Sequence, residues 1–77
     1  EGVQQGVPDL LIFSAPPASP DRCGVALEMK RRDGKPSDVR RKQREWLSTL
    51  EGLGWEPIVG WGAMDALEQL RKLGYDI

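Results

Sequence analysis

Residues 24–30 read Gly-Val-Ala-Leu-Glu-Met-Lys, an apolar run with an acid and a lysine near its end. A short run of this kind predicts a largely buried strand. Side chains alternate between the two faces of a strand, so Glu28 and Lys30 share one face while Leu27 and Met29 share the other. A Glu and a Lys are costly to bury without partners. The two residues therefore either pair with each other as a simple ion pair or serve a site on that face.

A second apolar run, Asp9-Leu10-Leu11-Ile12-Phe13, lies upstream and begins with an acid that follows Pro8. Three prolines in residues 14–21 exclude regular structure between the two runs. We expect an antiparallel pair of strands joined by this long loop.

The remaining chain predicts a helix over residues 37–53 with Ser37 as its N-cap, a strand over 55–61 and a helix over 63–73. Residues expected to face the sheet are Val39, Trp46, Leu47, Leu50 and Leu53 in the first helix, and Met64, Leu67 and Leu70 in the second. The predicted fold class is α/β, a single domain over residues 1–77. It has the order β-β-α-β-α, a small mixed sheet with the second and third strands parallel, and flanking helices. Residues 75–77 are a candidate start of a further strand.

The composition excludes several kinds of site. The 77 residues contain no histidine and one cysteine, Cys23, which rules out catalytic triads that need histidine, an internal disulfide and a structural zinc site. A bound metal must have oxygen ligands, as Mg²⁺, Mn²⁺ or Ca²⁺ do. No apolar run reaches the ~20 residues of a membrane span, so we expect no membrane partner. The cysteine usage is consistent with a cytoplasmic location.

Charge is concentrated between Lys30 and Arg44, where eight basic residues and two acidic ones give a local net charge of +6 in a chain of net charge −1. Such a stretch is either a solvated helix face or a surface that binds a polyanion. The candidate nucleic-acid-binding residues are Arg31, Arg32, Lys35, Arg40, Arg41, Lys42 and Arg44.

Gln43 is a polar residue on the apolar side of the predicted first helix. A buried amide needs hydrogen-bond partners. It either bonds to backbone groups near the helix end or orients a water or ligand near Glu28 and Lys30.

These residues together are suited to phosphodiester hydrolysis. Two carboxylates on adjacent strands, Asp9 and Glu28, favour a shared divalent cation, and the Met29 carbonyl can add a third oxygen. Such a cation binds phosphate oxygens and lowers the pKa of water, while Lys30 can stabilise the charge of the transition state.

The ordered set of motifs resembles a known nuclease family. Pro8-Asp9 followed by Glu28-x-Lys30 is similar to the PD-(D/E)XK nuclease core, but this pair alone is weakly specific. The fuller pattern resembles the virus-type replication-repair nuclease (VRR-NUC) domain over roughly residues 5–74. Its parts are residues 6–12, 26–31, Gln43-x-x-Trp46-Leu47 and 58–59.

The resemblance implies a restriction-endonuclease-like core that cuts DNA with Mg²⁺ or Mn²⁺. Asp9, Glu28 and the Met29 carbonyl would be its metal ligands, Lys30 its catalytic lysine and Gln43 the family's helix glutamine near the site. It also implies branched or duplex DNA as substrate in replication, repair or recombination, a homodimer, and a bacterial or phage-infected host cell.

Domains of this family usually begin with a helix, often with a glutamate that faces the site. Only eight residues precede Asp9, which leaves no room for that helix, and Glu1 is too terminal to count as that acid. The chain is then either a fragment, a domain that has lost its start, or a minimal form of the family.

Two other functions stay open. The same fold could bind nucleic acid without cutting it. It could also be an interaction domain, in which Trp46 belongs to the core while Trp55 and Trp61 lie at an interface.

Overall fold

The computed structural model describes residues 5–77, so Glu1 lies outside the described residues. Its elements are β1 (Leu10–Ile12), β2 (Gly24–Lys30), α1 (Arg41–Gly52), β3 (Trp55–Trp61) and α2 (Ala63–Lys72), with a 3-10 turn at Pro36–Asp38 before α1. This order confirms the predicted β-β-α-β-α arrangement.

The strands form a mixed sheet in the order β1-β2-β3. β1 runs antiparallel to β2, with Leu10 opposite Leu27, and β3 runs parallel to β2, with Val59 opposite Glu28. Both relations agree with the prediction. β2 is the central strand, and the two helices pack on opposite faces of the sheet. The alternation of β2 side chains therefore decides what each helix meets.

The face of the sheet beneath α2 holds the main core. Val25 and Leu27 of β2 are buried against Ala66 and Leu70 of α2. The helix lies so close to β3 that a Cβ added at Gly60 would be 2.7 Å from the Ala66 Cβ. Because Gly60 has no side chain, Ala66 of α2 can pack directly against β3.

This close approach corrects the predicted orientation of α2. Leu70 is buried as expected, but Met64 is 77% exposed and Leu67 is 37% exposed. The helix turns Ala66 inward because the gap above Gly60 admits only a short side chain.

The opposite face of the sheet carries α1, which packs against β3 and β2. Leu47 is buried there, as is Val39 just before the helix. The predicted start of this helix was wrong, because Ser37 belongs to the 3-10 turn and the N-cap of α1 is Arg40. Leu53 is 69% exposed rather than inward-facing.

The outer edge of β3 is occupied by side chains. The Val59 carbonyl accepts a 2.7 Å hydrogen bond from Gln69 Nε2, and the Trp61 N–H donates a 2.8 Å bond to Asp65 Oδ2. Pro57, two residues before Val59, has no N–H to offer, which suits an edge position. α2 thus supplies hydrogen-bond partners to backbone groups that a neighbouring strand would otherwise use.

Residues 75–77 form no strand. The Tyr75 hydroxyl instead donates a hydrogen bond to the Ser14 carbonyl, which ties the segment after α2 to the loop after β1. None of the described helices is long and apolar enough to cross a membrane.

Candidate active site

Glu28 is the buried charge of the sheet face beneath α1, with 3% of its surface exposed. Its Oε2 accepts a 2.7 Å hydrogen bond from Gln43 Nε2, and Lys30 Nζ lies 3.7 Å from the same oxygen. Its Oε1 is buried and has no hydrogen-bond partner among the described residues. A buried carboxylate oxygen without a partner is costly and is one mark of a site that holds another group.

Gln43 links this carboxylate to the start of α1. Its Oε1 accepts a 2.8 Å hydrogen bond from the Arg40 N–H, and its Nε2 donates to Glu28. The amide therefore bonds to the backbone near the helix end, as one interpretation of the sequence expected, and it also reaches Glu28; that it orients a water or ligand there stays a prediction. A Gln three residues after an N-cap is typical of a capping box, so the spacing of Arg40 and Gln43 was itself a local sequence signal for this contact.

Asp9 lies immediately before β1, next to Glu28 in the register. The pairing of Leu10 with Leu27, continued by one residue, aligns Asp9 with Glu28. Directly opposed residues of an antiparallel pair project on the same face. The exposed Asp9 carboxylate accepts a 2.8 Å hydrogen bond from the Met29 N–H, which holds it against the end of β2.

The charges around Glu28 shift its ionisation. Burial raises the pKa of the Glu28 carboxyl, and the neighbouring Asp9 charge raises it further, while Lys30 acts in the opposite direction. Asp9 and Glu28 lie opposite each other in the register, and a cation between them would favour the ionised form of the Glu28 carboxyl.

Gly6 explains how the segment before Asp9 meets α1. A Cβ at this position would lie 2.6 Å from the Lys42 carbonyl carbon and 2.8 Å from the Gln43 nitrogen. Gly6 also has a φ of 85°, which favours glycine. The lead-in to β1 therefore packs directly against the first turn of α1, three residues before Asp9.

The residues present fit a hard divalent cation with incomplete protein coordination. No cluster of three or more His, Cys, Asp or Glu side chains occurs within residues 5–77, so no cage built only from such side chains is available there. Asp9, Glu28 and the Met29 carbonyl together offer oxygen ligands from three residues. Mg²⁺ commonly binds through one or two carboxylates and keeps several waters, which matches this set. The partnerless Glu28 Oε1 is the atom that such an ion would satisfy.

An open cleft of about 580 Å³ adjoins this site on the Lys30 side. It is lined by Met29, Lys30, Arg31, Ser37, Asp38 and Arg40. Two of the seven basic residues predicted to bind nucleic acid, Arg31 and Arg40, therefore border the same cleft as the lysine.

All seven of those basic residues are exposed, but three have partners within the domain. Arg31 pairs with Asp33, Arg41 pairs with Glu45, and the Arg44 guanidinium donates a hydrogen bond to the Val39 carbonyl. The other four form no ion pair with any residue in the described part of the chain; they are Arg32, Lys35, Arg40 and Lys42.

Comparison with solved structures supports the nuclease-like fold. The chain is similar to a structure described as a VRR_NUC domain protein, with a TM-score of 0.77 and 25% sequence identity over 95% of this chain. The match spans 56% of that protein's chain, so this domain corresponds to little more than half of it. No family model matches the sequence, and no curated protein matches it.

Proposed function

We propose that this domain is a metal-dependent DNA endonuclease of the VRR-NUC type, acting on branched or otherwise structured DNA. The observation that carries the proposal is the buried Oε1 of Glu28, which has no hydrogen-bond partner among residues 5–77, beside Asp9 and Lys30. The similarity in fold to a VRR_NUC domain protein supports it.

Asp9, Glu28 and the Met29 carbonyl would hold Mg²⁺ or Mn²⁺. The ion would supply charge neutralisation at a phosphate oxygen and a lower pKa for the attacking water. In the hydrolysis, the water oxygen bonds to phosphorus, one bridging P–O bond breaks, and the leaving oxygen takes up a proton.

The side chains around the ion have separate tasks. Lys30, with Nζ 3.7 Å from Glu28 Oε2, carries the positive charge that stabilises the additional negative charge on the phosphoryl oxygens. Gln43 fixes the rotamer of Glu28, because its amide is held at the Arg40 N–H. Arg31 and Arg40 border the cleft beyond Lys30, where the next phosphates of the strand would lie.

The decisive experiment compares Mn²⁺ binding by calorimetry with cleavage of labelled four-way junction and duplex DNA. Asp9→Asn removes one charge while its side-chain oxygen still accepts from the Met29 N–H, and Glu28→Gln removes the other. Each should weaken Mn²⁺ binding and reduce cleavage by about 10²-fold or more, as expected when charge stabilisation is lost from a site.

Glu68→Gln is the matched control, since Glu68 lies on α2 in an exposed ion pair with Lys72. It should bind Mn²⁺ and cleave DNA like the wild-type chain. DNA binding without any product in Mg²⁺ or Mn²⁺ would instead favour a non-catalytic nucleic-acid-binding module.

A further inference from the structure

The backbone of β2 alternates between its two neighbouring strands. The Lys30 carbonyl accepts a 2.8 Å hydrogen bond from the Gly62 N–H, so Lys30 turns its backbone groups toward β3. The N–H and carbonyl of one strand residue point to the same side, and the next residue points to the other. Met29 therefore directs both its N–H and its carbonyl toward β1.

The register of β1 on β2 identifies the residue that should meet Met29. Leu10 pairs with Leu27 and Ile12 with Val25, so the next partner in the ladder is Pro8, opposite Met29. An ordinary residue there would exchange two hydrogen bonds with Met29. Pro8 has no N–H and cannot donate to the Met29 carbonyl.

The observed hydrogen bonds agree with a ladder that is interrupted at this pair. The Met29 N–H donates to Asp9 Oδ2 at 2.8 Å rather than to a backbone carbonyl. No residue between 5 and 77 donates a hydrogen bond to the Met29 carbonyl. The β1–β2 ladder thus ends at Leu10 opposite Leu27, and the Met29 carbonyl next to it receives no backbone donor from Pro8.

We propose that Pro8 is a positioning residue that keeps the Met29 carbonyl free for the metal ion by withholding a backbone N–H. This inference rests on the proposed function, because it assigns the freed oxygen to that site. A residue with an N–H at position 8 would compete with the cation for the same oxygen.

The test replaces Pro8 in the 77-residue chain with alanine or with N-methylalanine. A synthetic thioester of residues 1–22 can be joined to residues 23–77 at Cys23. Alanine restores the N–H, whereas N-methylalanine lacks both the N–H and the proline ring. Mn²⁺ affinity is measured by calorimetry and exchange of the residue-8 amide by NMR, with circular dichroism as the check of folding.

In Pro8→Ala the residue-8 amide should be protected from exchange and Mn²⁺ affinity should fall about tenfold, the size of effect seen when groups that orient metal ligands are changed. The N-methylalanine chain should keep wild-type affinity. Unchanged affinity in Pro8→Ala, or an equal loss with N-methylalanine, would overturn the inference. Failure of the wild-type chain to bind Mn²⁺ would overturn the proposed function instead.

Discussion

Gln43 Nε2 donates a 2.7 Å hydrogen bond to Glu28 Oε2 while Gln43 Oε1 accepts one from the Arg40 N–H. The backbone N–H requires an oxygen and the carboxylate requires a donor, so only one orientation of the amide satisfies both. A single side chain therefore joins the first turn of α1 to the buried acid of β2.

Replacing Gln43 with alanine should weaken both the fold and the site. The change removes a cap-like hydrogen bond and one donor to a buried carboxylate, so we expect a loss of about 1 kcal/mol or more in the free energy of unfolding. Mn²⁺ affinity should fall by about 10–100-fold, because Glu28 loses its orienting partner. Urea unfolding and calorimetry measure the two effects.

Gln69→Ala is the control for this prediction. Gln69 also joins two elements by hydrogen bonds, to the Val59 carbonyl and to Asp65, but it lies on α2 beneath the other face of the sheet. It should lower stability without changing Mn²⁺ affinity. Equal effects of both variants on affinity would mean that Gln43 acts only through stability.

Replacing Lys30 with methionine should separate metal binding from cleavage. Methionine is of similar length but lacks the charge, and Lys30 is not a ligand of the proposed ion. We expect cleavage to fall by about 10²-fold or more while Mn²⁺ binding is retained. Lys72→Met, which breaks the exposed ion pair with Glu68, should change neither quantity. If Lys30→Met loses Mn²⁺ as completely as Asp9→Asn does, its role is to hold Glu28 in position.

The basic residues that form no ion pair within residues 5–77 should determine how DNA binding responds to salt. If Arg32, Lys35 and Lys42 each meet one phosphate, replacing all three with alanine should reduce the slope of log affinity against log salt by about 2.7 in B-form DNA. The double change Arg71→Ala and Lys72→Ala, at the end of α2, is the control and should leave the slope unaltered. Fluorescence anisotropy at several salt concentrations gives both slopes, and an unchanged slope in the triple variant would exclude this surface.

Asp65 should contribute to acid sensitivity of the fold. Hydrogen bonds from the Trp61 N–H and the Gln69 amide lower the pKa of Asp65 below 3.8. A carboxyl whose pKa is lower in the folded state stabilises the fold fully above its ordinary pKa and loses that contribution as the pH falls through the lowered value. Asp65→Asn should therefore be less stable than wild type at pH 7, with the difference shrinking below pH 4. Urea unfolding of both chains at pH 7 and below pH 4 tests this. A difference in the free energy of unfolding that stays the same at both pH values would contradict it.

The strands could be predicted because an apolar run and the turn residues that flank it lie next to each other in the sequence. Residues 24–30 and 55–61 are apolar runs bounded by glycines or turns, and both strands have the predicted bounds. The face shared by Glu28 and Lys30 followed from alternation alone. Asp9 was identified as a partner of Glu28, but its bond to the Met29 N–H depends on the register of two strands, which a single run of residues does not contain.

The predictions that were wrong depend on contacts between different helices and strands. Ser37 has the chemistry of an N-cap, yet α1 starts later because Gln43 caps the Arg40 N–H and at the same time meets Glu28. Periodicity alone suggested Met64 as an inward residue of α2. The rotation of that helix is set by the meeting of Ala66 with Gly60, a contact between residues on different elements that helical spacing cannot reveal.

The side chains that occupy the outer edge of β3 have a consequence for self-association. An incoming strand would have to displace Gln69 from the Val59 carbonyl and Asp65 from the Trp61 N–H, and it would find no donor at Pro57. Lateral polymerisation through this strand is therefore disfavoured. A dimer that paired strands at this edge would first have to break both of these side-chain hydrogen bonds.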